Sequence, residues 1–68
     1  MEFTVVVTRE EGVYNVSVPS LPGCHTWGKT KQAALKNAKE AIELYIESLT
    51  AAGEPIPAEE SLHRVRVE

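Results

Sequence analysis

Cys24 and His25 are adjacent in the sequence, and together they are the residue types of a thiol nucleophile and its imidazole base. The residues from Cys24 to Trp27 read as a short strand. Because neighbouring residues of a strand point to opposite faces, the two side chains cannot form a dyad with each other. His63 would reach Cys24 only if the last strand lay beside this one, and the sheet order predicted below separates them. We therefore interpret Cys24 as a small buried apolar residue.

Metal chemistry has little support in the sequence. One cysteine and two histidines cannot complete a tetrahedral zinc site within one chain. A magnesium-dependent nuclease needs several carboxylates that converge on the metal, some of them from a central strand. The first strand instead has Thr and Val in its middle, with Glu2 at its edge and Glu10 and Glu11 beyond its end. We expect no catalytic residue, no metal and no cofactor.

Charges divide along the second half of the chain. Lys29 and Lys31 flank Thr30 at the start of a predicted helix, where backbone N–H groups favour an anion. Glu40, Glu43 and Glu47 form one stripe further along, where the helix dipole favours positive charge. The pattern fits an ordinary solvated face, and it equally fits a bipolar surface whose acidic stripe meets a basic partner.

His25 and Trp27 share one face of the third strand. Trp is enriched at the centres of protein interfaces, so this pair is a candidate contact patch. The alternative is a partly exposed aromatic side chain that covers the edge of the sheet. Both interpretations stay open at this point.

Hydrophobic alternation predicts the strands that carry these residues. We expect strands at Glu2–Arg9, Val13–Val18 and Cys24–Trp27, joined by tight turns into an antiparallel meander. A fourth strand is predicted at Leu62–Val67.

A long amphipathic helix is predicted between the third and fourth strands. Thr30 is a good N-cap, and Gly53 stands where the residue after a helix C-terminus belongs. The helix extends from Lys31 to about Ala52. Its apolar side chains fall in one arc that faces the sheet: Ala34, Leu35, Ala38, Ala41, Ile42, Tyr45, Ile46 and Leu49.

These elements predict a single α+β domain over residues 1–68 with the order β-β-β-α-β. The predicted sheet order is 3-2-1-4, with a right-handed crossover through the helix. One helix covers only one face of a sheet, so Val6 and Val13 on the other face would be half exposed. We expect self-association through that face or an edge strand, as a homodimer or a higher oligomer.

Size and composition exclude several classes of protein. A chain of 68 residues with a single cysteine has no disulfide to support its thin core. Its net charge of −3 disfavours nucleic-acid binding and suits a basic partner. No apolar run approaches the ~20 residues that span a bilayer, and the N-terminus lacks a signal-peptide pattern. We expect a soluble, cytoplasmic protein.

The turn Pro19–Cys24 (PSLPGC), followed by Gly28, Thr30 and the helix segment ALKNAKEAI from Ala34 to Ile42, resembles the HicB family. These are antitoxins of bacterial and archaeal type II toxin–antitoxin pairs, and the resemblance covers nearly the whole chain. The family's N-terminal domain is similar to a truncated RNase H fold, which implies that fold here. Many members carry a C-terminal operator-binding segment; this chain ends at Glu68 without one, so we expect no direct DNA binding.

The resemblance implies an antitoxin that binds a HicA-type toxin and sterically occludes its RNA-cleaving site. The candidate toxin contacts are Pro19, Leu21, Pro22, His25, Trp27, Glu40, Glu43 and Glu47. The alternative is a stand-alone structural or binding module without a toxin, which holds a small anionic ligand at Lys29, Thr30 and Lys31.

Overall fold

The computed structural model of this protein describes residues 2–57. Three strands form an antiparallel sheet in the order β1-β2-β3, and one helix follows them. The elements are β1 (Val6–Glu10), β2 (Val13–Ser17), β3 (His25–Gly28) and α1 (Lys31–Ala51). The predicted antiparallel meander followed by a helix is confirmed.

A tight two-residue turn joins β1 to β2. Glu11 and Gly12 both have positive φ, 50° and 81°. Two successive positive φ values are the signature of the hairpin turn whose twist matches that of the flanking strands. The turn sets the register, in which Val7 lies opposite Val16 and Thr8 lies opposite Asn15.

The strand boundaries differ from the predicted ones by up to four residues. β1 begins at Val6 rather than Glu2, because β2 ends at Ser17, the residue that pairs with Val6, and Pro19 then turns the chain away. β2 ends one residue before the predicted Val18, and β3 is shifted by one residue toward its C-terminus. The predicted alternation of faces holds, since Val16 is buried and Ser17 is exposed.

The helix has the predicted caps. The Thr30 hydroxyl accepts a 3.0 Å hydrogen bond from the Ala33 N–H. At the other end the Glu54 N–H donates to the Leu49 carbonyl at 2.9 Å, and the Gly53 N–H donates to the Thr50 carbonyl at 3.1 Å. This pair of bonds is the Schellman arrangement, and it satisfies two carbonyls that the last helical turn leaves free.

The core lies between the sheet and the helix in two adjoining clusters. One contains Val16 packed against Ala34 and Ala38. The other contains Val18, Leu21 and Cys24, with Phe3, Val5, Ala41, Ile42 and Tyr45 partly buried against it. Small residues on the first half of the helix allow it to approach the sheet closely.

Gly28 at the end of β3 is the closest point of that approach. A Cβ atom added there would lie 2.5 Å from the Ala34 backbone nitrogen and 2.8 Å from its Cα. Only glycine fits at this position, because both atoms belong to the backbone and cannot rotate away.

One helix residue that was predicted to face the core is partly exposed. Leu35, predicted to lie in the core, is 39% exposed, because it sits at the border of the apolar arc. It lines an open groove together with Phe3, Val5 and Ile42 on the β1 side. The predicted fourth strand at Leu62–Val67, and with it the truncated RNase H-like topology, lies outside the described residues.

Candidate partner-binding surface

Backbone hydrogen bonds within the turn between β2 and β3 fix its conformation. The Leu21 N–H donates to the Val18 carbonyl at 3.0 Å, and the Cys24 N–H donates to the Leu21 carbonyl at 2.9 Å. Leu21 is fully buried, so of the predicted contacts in this turn only Pro19 and Pro22 present a surface. The Tyr45 hydroxyl donates a 2.8 Å hydrogen bond to the Pro22 carbonyl and fastens the turn to the helix.

His25 and Trp27 lie on the outer face of the sheet, away from the helix. Trp27 is 55% exposed and lies opposite Asn15 of β2. His25 lies opposite Ser17, which in turn lies opposite Val6 of β1. The outer face is therefore a mixed surface in which Val6, 46% exposed, and Trp27 supply the apolar area.

The acidic stripe of Glu40, Glu43 and Glu47 is fully on the surface. At 100° per residue it lies opposite the arc of the helix that packs on the sheet. Trp27 points away from the helix on the far side of the same sheet. One flat partner surface cannot contact both, so the structure separates the predicted contacts into two groups on opposite sides of the domain.

The start of the helix holds the three residues predicted to contact an anion. Lys29 and Lys31 are exposed, and the Thr30 hydroxyl is engaged with the Ala33 N–H. Thr30 therefore acts as an ordinary N-cap. The anion-binding role of these three residues stays a prediction.

Cys24 is a buried free thiol, as the sequence predicted. Burial raises the pKa of the thiol above its ordinary value, because desolvation disfavours the thiolate. Its neighbour His25 is exposed on the opposite face, and His63 lies outside the described residues. In residues 2–57 no three side chains of His, Cys, Asp or Glu are placed to share a metal ion.

An open groove of about 650 Å³ runs between the start of β3 and the second half of the helix. Gly23, Cys24 and His25 line one side, and Leu44, Tyr45 and Leu49 line the other. Leu44 is 64% exposed, the largest exposed fraction among the large apolar side chains of residues 2–57. Glu54 lies at the end of the groove.

Asn37 of the helix reaches the edge of the sheet at Trp27. Its side-chain amide donates a 2.9 Å hydrogen bond to the Trp27 carbonyl. Sequence reasoning assigned no role to Asn37 or to the Tyr45 hydroxyl. The available signal was weak, since a polar residue at the border of an apolar arc has several possible partners.

None of the helices in the described part of the chain has the length and apolar content needed to cross a membrane.

Comparison with known proteins gives a consistent result. Residues 3–68 match the family described as the HicB-like antitoxins of bacterial toxin–antitoxin systems. A UPF0150 protein of Thermoplasma acidophilum is 59% identical over 58 residues, which cover 84% of each chain. A UPF0150 protein of Synechocystis is 48% identical over 59 residues, covering 85% of this chain and 75% of the relative.

Two solved structures share the fold. The N-terminal domain of the Burkholderia pseudomallei antitoxin HicB superposes with a TM-score of 0.77 at 44% identity, covering 85% of this chain and 69% of that one. A structure of the B. pseudomallei antitoxin HicB superposes with a TM-score of 0.74 at 46% identity, covering 82% of this chain and 43% of that one.

Proposed function

This chain belongs to the family of HicB-like antitoxins, and from that premise we propose that it binds a HicA-type RNA-cleaving toxin and inhibits it by covering the toxin's active site. The observation that carries the proposal is the likeness to the N-terminal domain of a HicB antitoxin, at 44% identity and a TM-score of 0.77. Two chains this similar share their backbone fold, which supports a shared mode of action.

Inhibition by occlusion requires a folded surface and no chemistry. Cys24 is the strongest nucleophile type in the chain, and burial raises the pKa of its thiol, which disfavours the reactive thiolate. His25 points to the opposite face and cannot take its proton. We therefore propose a protein without catalytic activity, acting in the cytoplasm where a toxin that cleaves RNA meets its substrate.

The toxin-binding side is assigned to the end of the domain where the turn and β3 meet. Pro19, Pro22 and His25 are exposed there, and the groove beside Leu44 supplies apolar area. Trp27 faces away from that groove, so we do not assign it to the toxin-binding side. The acidic stripe lies on the helix side and suits long-range attraction of a basic, RNA-binding toxin.

The outer face of the sheet is assigned to self-association. Trp27 and Val6 are both exposed on it, and a small domain gains stability by burying such area against a second copy. Trp27 would be the anchor, because a large rigid ring loses little conformational entropy on burial. We propose a homodimer or a higher oligomer built on this face.

The test is a titration of the full chain into an RNA-cleavage assay run by the small protein encoded in the neighbouring reading frame. Stoichiometric loss of cleavage together with a complex on size exclusion supports the proposal. A pancreatic-type ribonuclease, assayed in parallel, controls for masking of the RNA itself and should be unaffected. Full cleavage by the neighbouring protein, with no complex, would contradict the function and leave the fold unchanged.

A further inference from the structure

The edge of β3 that faces away from β2 pairs with no other strand of residues 2–57, and it offers backbone hydrogen bonds at His25 and Trp27. The Val18 N–H donates to the Cys24 carbonyl at 3.0 Å, so these two residues form a hydrogen-bonded pair of the β2–β3 ladder. In antiparallel strands hydrogen-bonded and non-hydrogen-bonded pairs alternate. The Ser17–His25 and Asn15–Trp27 pairs are therefore non-hydrogen-bonded pairs. The N–H and C=O groups of His25 and Trp27 point away from β2.

One group of that edge already has a hydrogen bond. The Asn37 side-chain amide donates to the outward-pointing Trp27 carbonyl at 2.9 Å. In residues 2–57 no comparable bond covers the outward N–H and C=O of His25. An added antiparallel strand can exchange two hydrogen bonds with His25 and can accept a third from the Trp27 N–H.

The groove beside this edge fits the side chains of such a strand. Residues directly opposite in an antiparallel pair point to the same face, so the residue that pairs with His25 would lie on the outer face. Its two neighbours would point toward the helix, into the groove of about 650 Å³ lined by Leu44 and Leu49. An apolar side chain of the added strand would cover Leu44, which residues 2–57 leave 64% exposed.

The acidic side chains around the groove favour an added strand that carries positive charge. Glu40 and Glu47 flank Leu44 on the helix surface at spacings of four and three residues, and Glu54 lies in the groove. All three are exposed carboxylates. A second copy of this chain, paired edge to edge, would bring three more carboxylates to the same place, whereas a basic segment would neutralise them.

We propose that the β3 edge at His25 captures an extended basic segment of the toxin by strand addition, with an apolar side chain of that segment packed against Leu44. This inference rests on the proposed antitoxin function, and it specifies both the docking geometry and the chemistry of the docked segment. It also assigns His25 a role through its backbone rather than its imidazole.

Two substitutions at His25 separate backbone from side chain. His25→Pro removes the outward N–H and leaves the β2 ladder intact, because proline is tolerated where the N–H faces away from the partner strand. His25→Ala removes the imidazole and keeps the N–H. We expect His25→Pro to weaken binding of the neighbouring-frame protein by about tenfold or more. His25→Ala loses only the imidazole and should weaken binding much less than His25→Pro.

A matched pair tests the groove. Leu44→Ser should weaken toxin binding, while Leu35→Ser, a comparable change on the opposite flank of the helix, should not. Amide hydrogen exchange on the unaltered chain gives a reading that does not depend on the folding of any variant. The His25 and Trp27 amides should exchange rapidly in the free protein and become protected in the complex.

The outcomes separate this inference from the function itself. Absence of binding by the unaltered chain overturns the function and the docking geometry together. Binding by the unaltered chain with unprotected His25 and Trp27 amides, or with full affinity in a folded His25→Pro variant, overturns the docking geometry alone. If His25→Pro dissociates a dimer but keeps its toxin affinity, the edge pairs two copies of this chain, and the proposed occupant is wrong.

Discussion

The Tyr45 hydroxyl donates a 2.8 Å hydrogen bond to the Pro22 carbonyl, joining residues 23 apart in the sequence. The bond fastens the exposed tip of the β2–β3 turn to the second half of the helix. It also positions the residues that follow, because β3 begins three residues after Pro22. The surface proposed for toxin binding therefore depends on a contact between the turn and the helix.

Removing that hydroxyl tests the contact directly. Tyr45→Phe should lower the free energy of unfolding by about 1 kcal/mol, since the ring still packs and only the hydrogen bond is lost. Urea denaturation measures the change. Tyr14→Phe is the matched control, because the Tyr14 hydroxyl has no hydrogen bond within residues 2–57 and the contact of its ring with the Arg9 guanidinium survives. Equal losses for the two variants would refute the role assigned to Tyr45.

Gly28 should be the glycine least tolerant of a side chain. In Gly28→Ala the new Cβ would lie within 3 Å of three backbone atoms of Ala33 and Ala34, so β3 and the helix must move apart. We expect a loss of about 1–3 kcal/mol or more, the usual effect of overpacking. Gly12→Ala meets no atom within 4 Å and carries only the strain of its φ of 81°, about 1 kcal/mol.

Thermal unfolding of both variants shows which of the two glycine substitutions lowers stability more. A Gly12→Ala protein less stable than Gly28→Ala would mean that the strand and the helix are less closely packed than the structure describes.

The acidic stripe should act on the rate of association. Replacing Glu40, Glu43 and Glu47 with Gln removes the attraction for a basic toxin, so the association rate constant should fall several-fold and lose most of its dependence on salt. Stopped-flow fluorescence at several ionic strengths measures both effects. Because Glu40 and Glu47 flank Leu44, which lines the groove, the dissociation rate should also rise, to a smaller extent.

Glu2, Glu10 and Glu11 supply the control for this experiment, since they are exposed and belong to the N-terminal part of the chain rather than to the helix. Their replacement with Gln changes the net charge equally. If both triple variants slow association to the same degree, only net charge matters and the stripe has no special part.

Trp27 should control the size of the assembly. Trp27→Ala removes the largest apolar side chain of the outer face, so light scattering should report a smaller species than for the unaltered chain at the same concentration. Toxin affinity should be little changed, because Trp27 faces away from the groove. A variant that keeps its mass and loses the toxin would reverse the two assignments and make Trp27 a toxin contact.

The buried thiol of Cys24 predicts a dependence of stability on pH. Burial raises the pKa of this thiol in the folded state, so above about pH 8.5, the usual thiol pKa, the unfolded chain has released a proton that the folded chain still holds. Stability then falls as the pH rises, because the unfolded state binds fewer protons. Cys24→Ala should be less stable at neutral pH, and its loss of stability between pH 8 and 10 should be smaller.

Chemical denaturation across that range gives the comparison. Parallel curves for the two proteins would indicate that the thiol ionises equally in both states. The reactivity of the unaltered chain toward a thiol reagent, slow when native and fast in urea, provides a second measure of the same burial.

Local sequence determined the elements of this protein. Thr30, Gly53 and the apolar repeat between them predict α1 to within one residue, because capping and helical periodicity act over only a few residues. The alternation in β2 and β3 likewise predicts which side chains are buried. The start of β1 was predicted wrongly, since its length depends on where β2 ends, and that is decided by another part of the chain.

The tertiary structure decided how the candidate residues are grouped. By pattern alone, Trp27 and Glu43 were equally good contacts; in the fold they lie on opposite sides, because the helix covers one face of the sheet and Trp27 occupies the other. The Tyr45–Pro22 and Asn37–Trp27 bonds join distant residues whose partners no local pattern specifies. Composition and periodicity describe what each segment can do. The packing of the helix on the sheet determines which groups meet and which edge of β3 faces away from the other strands of residues 2–57.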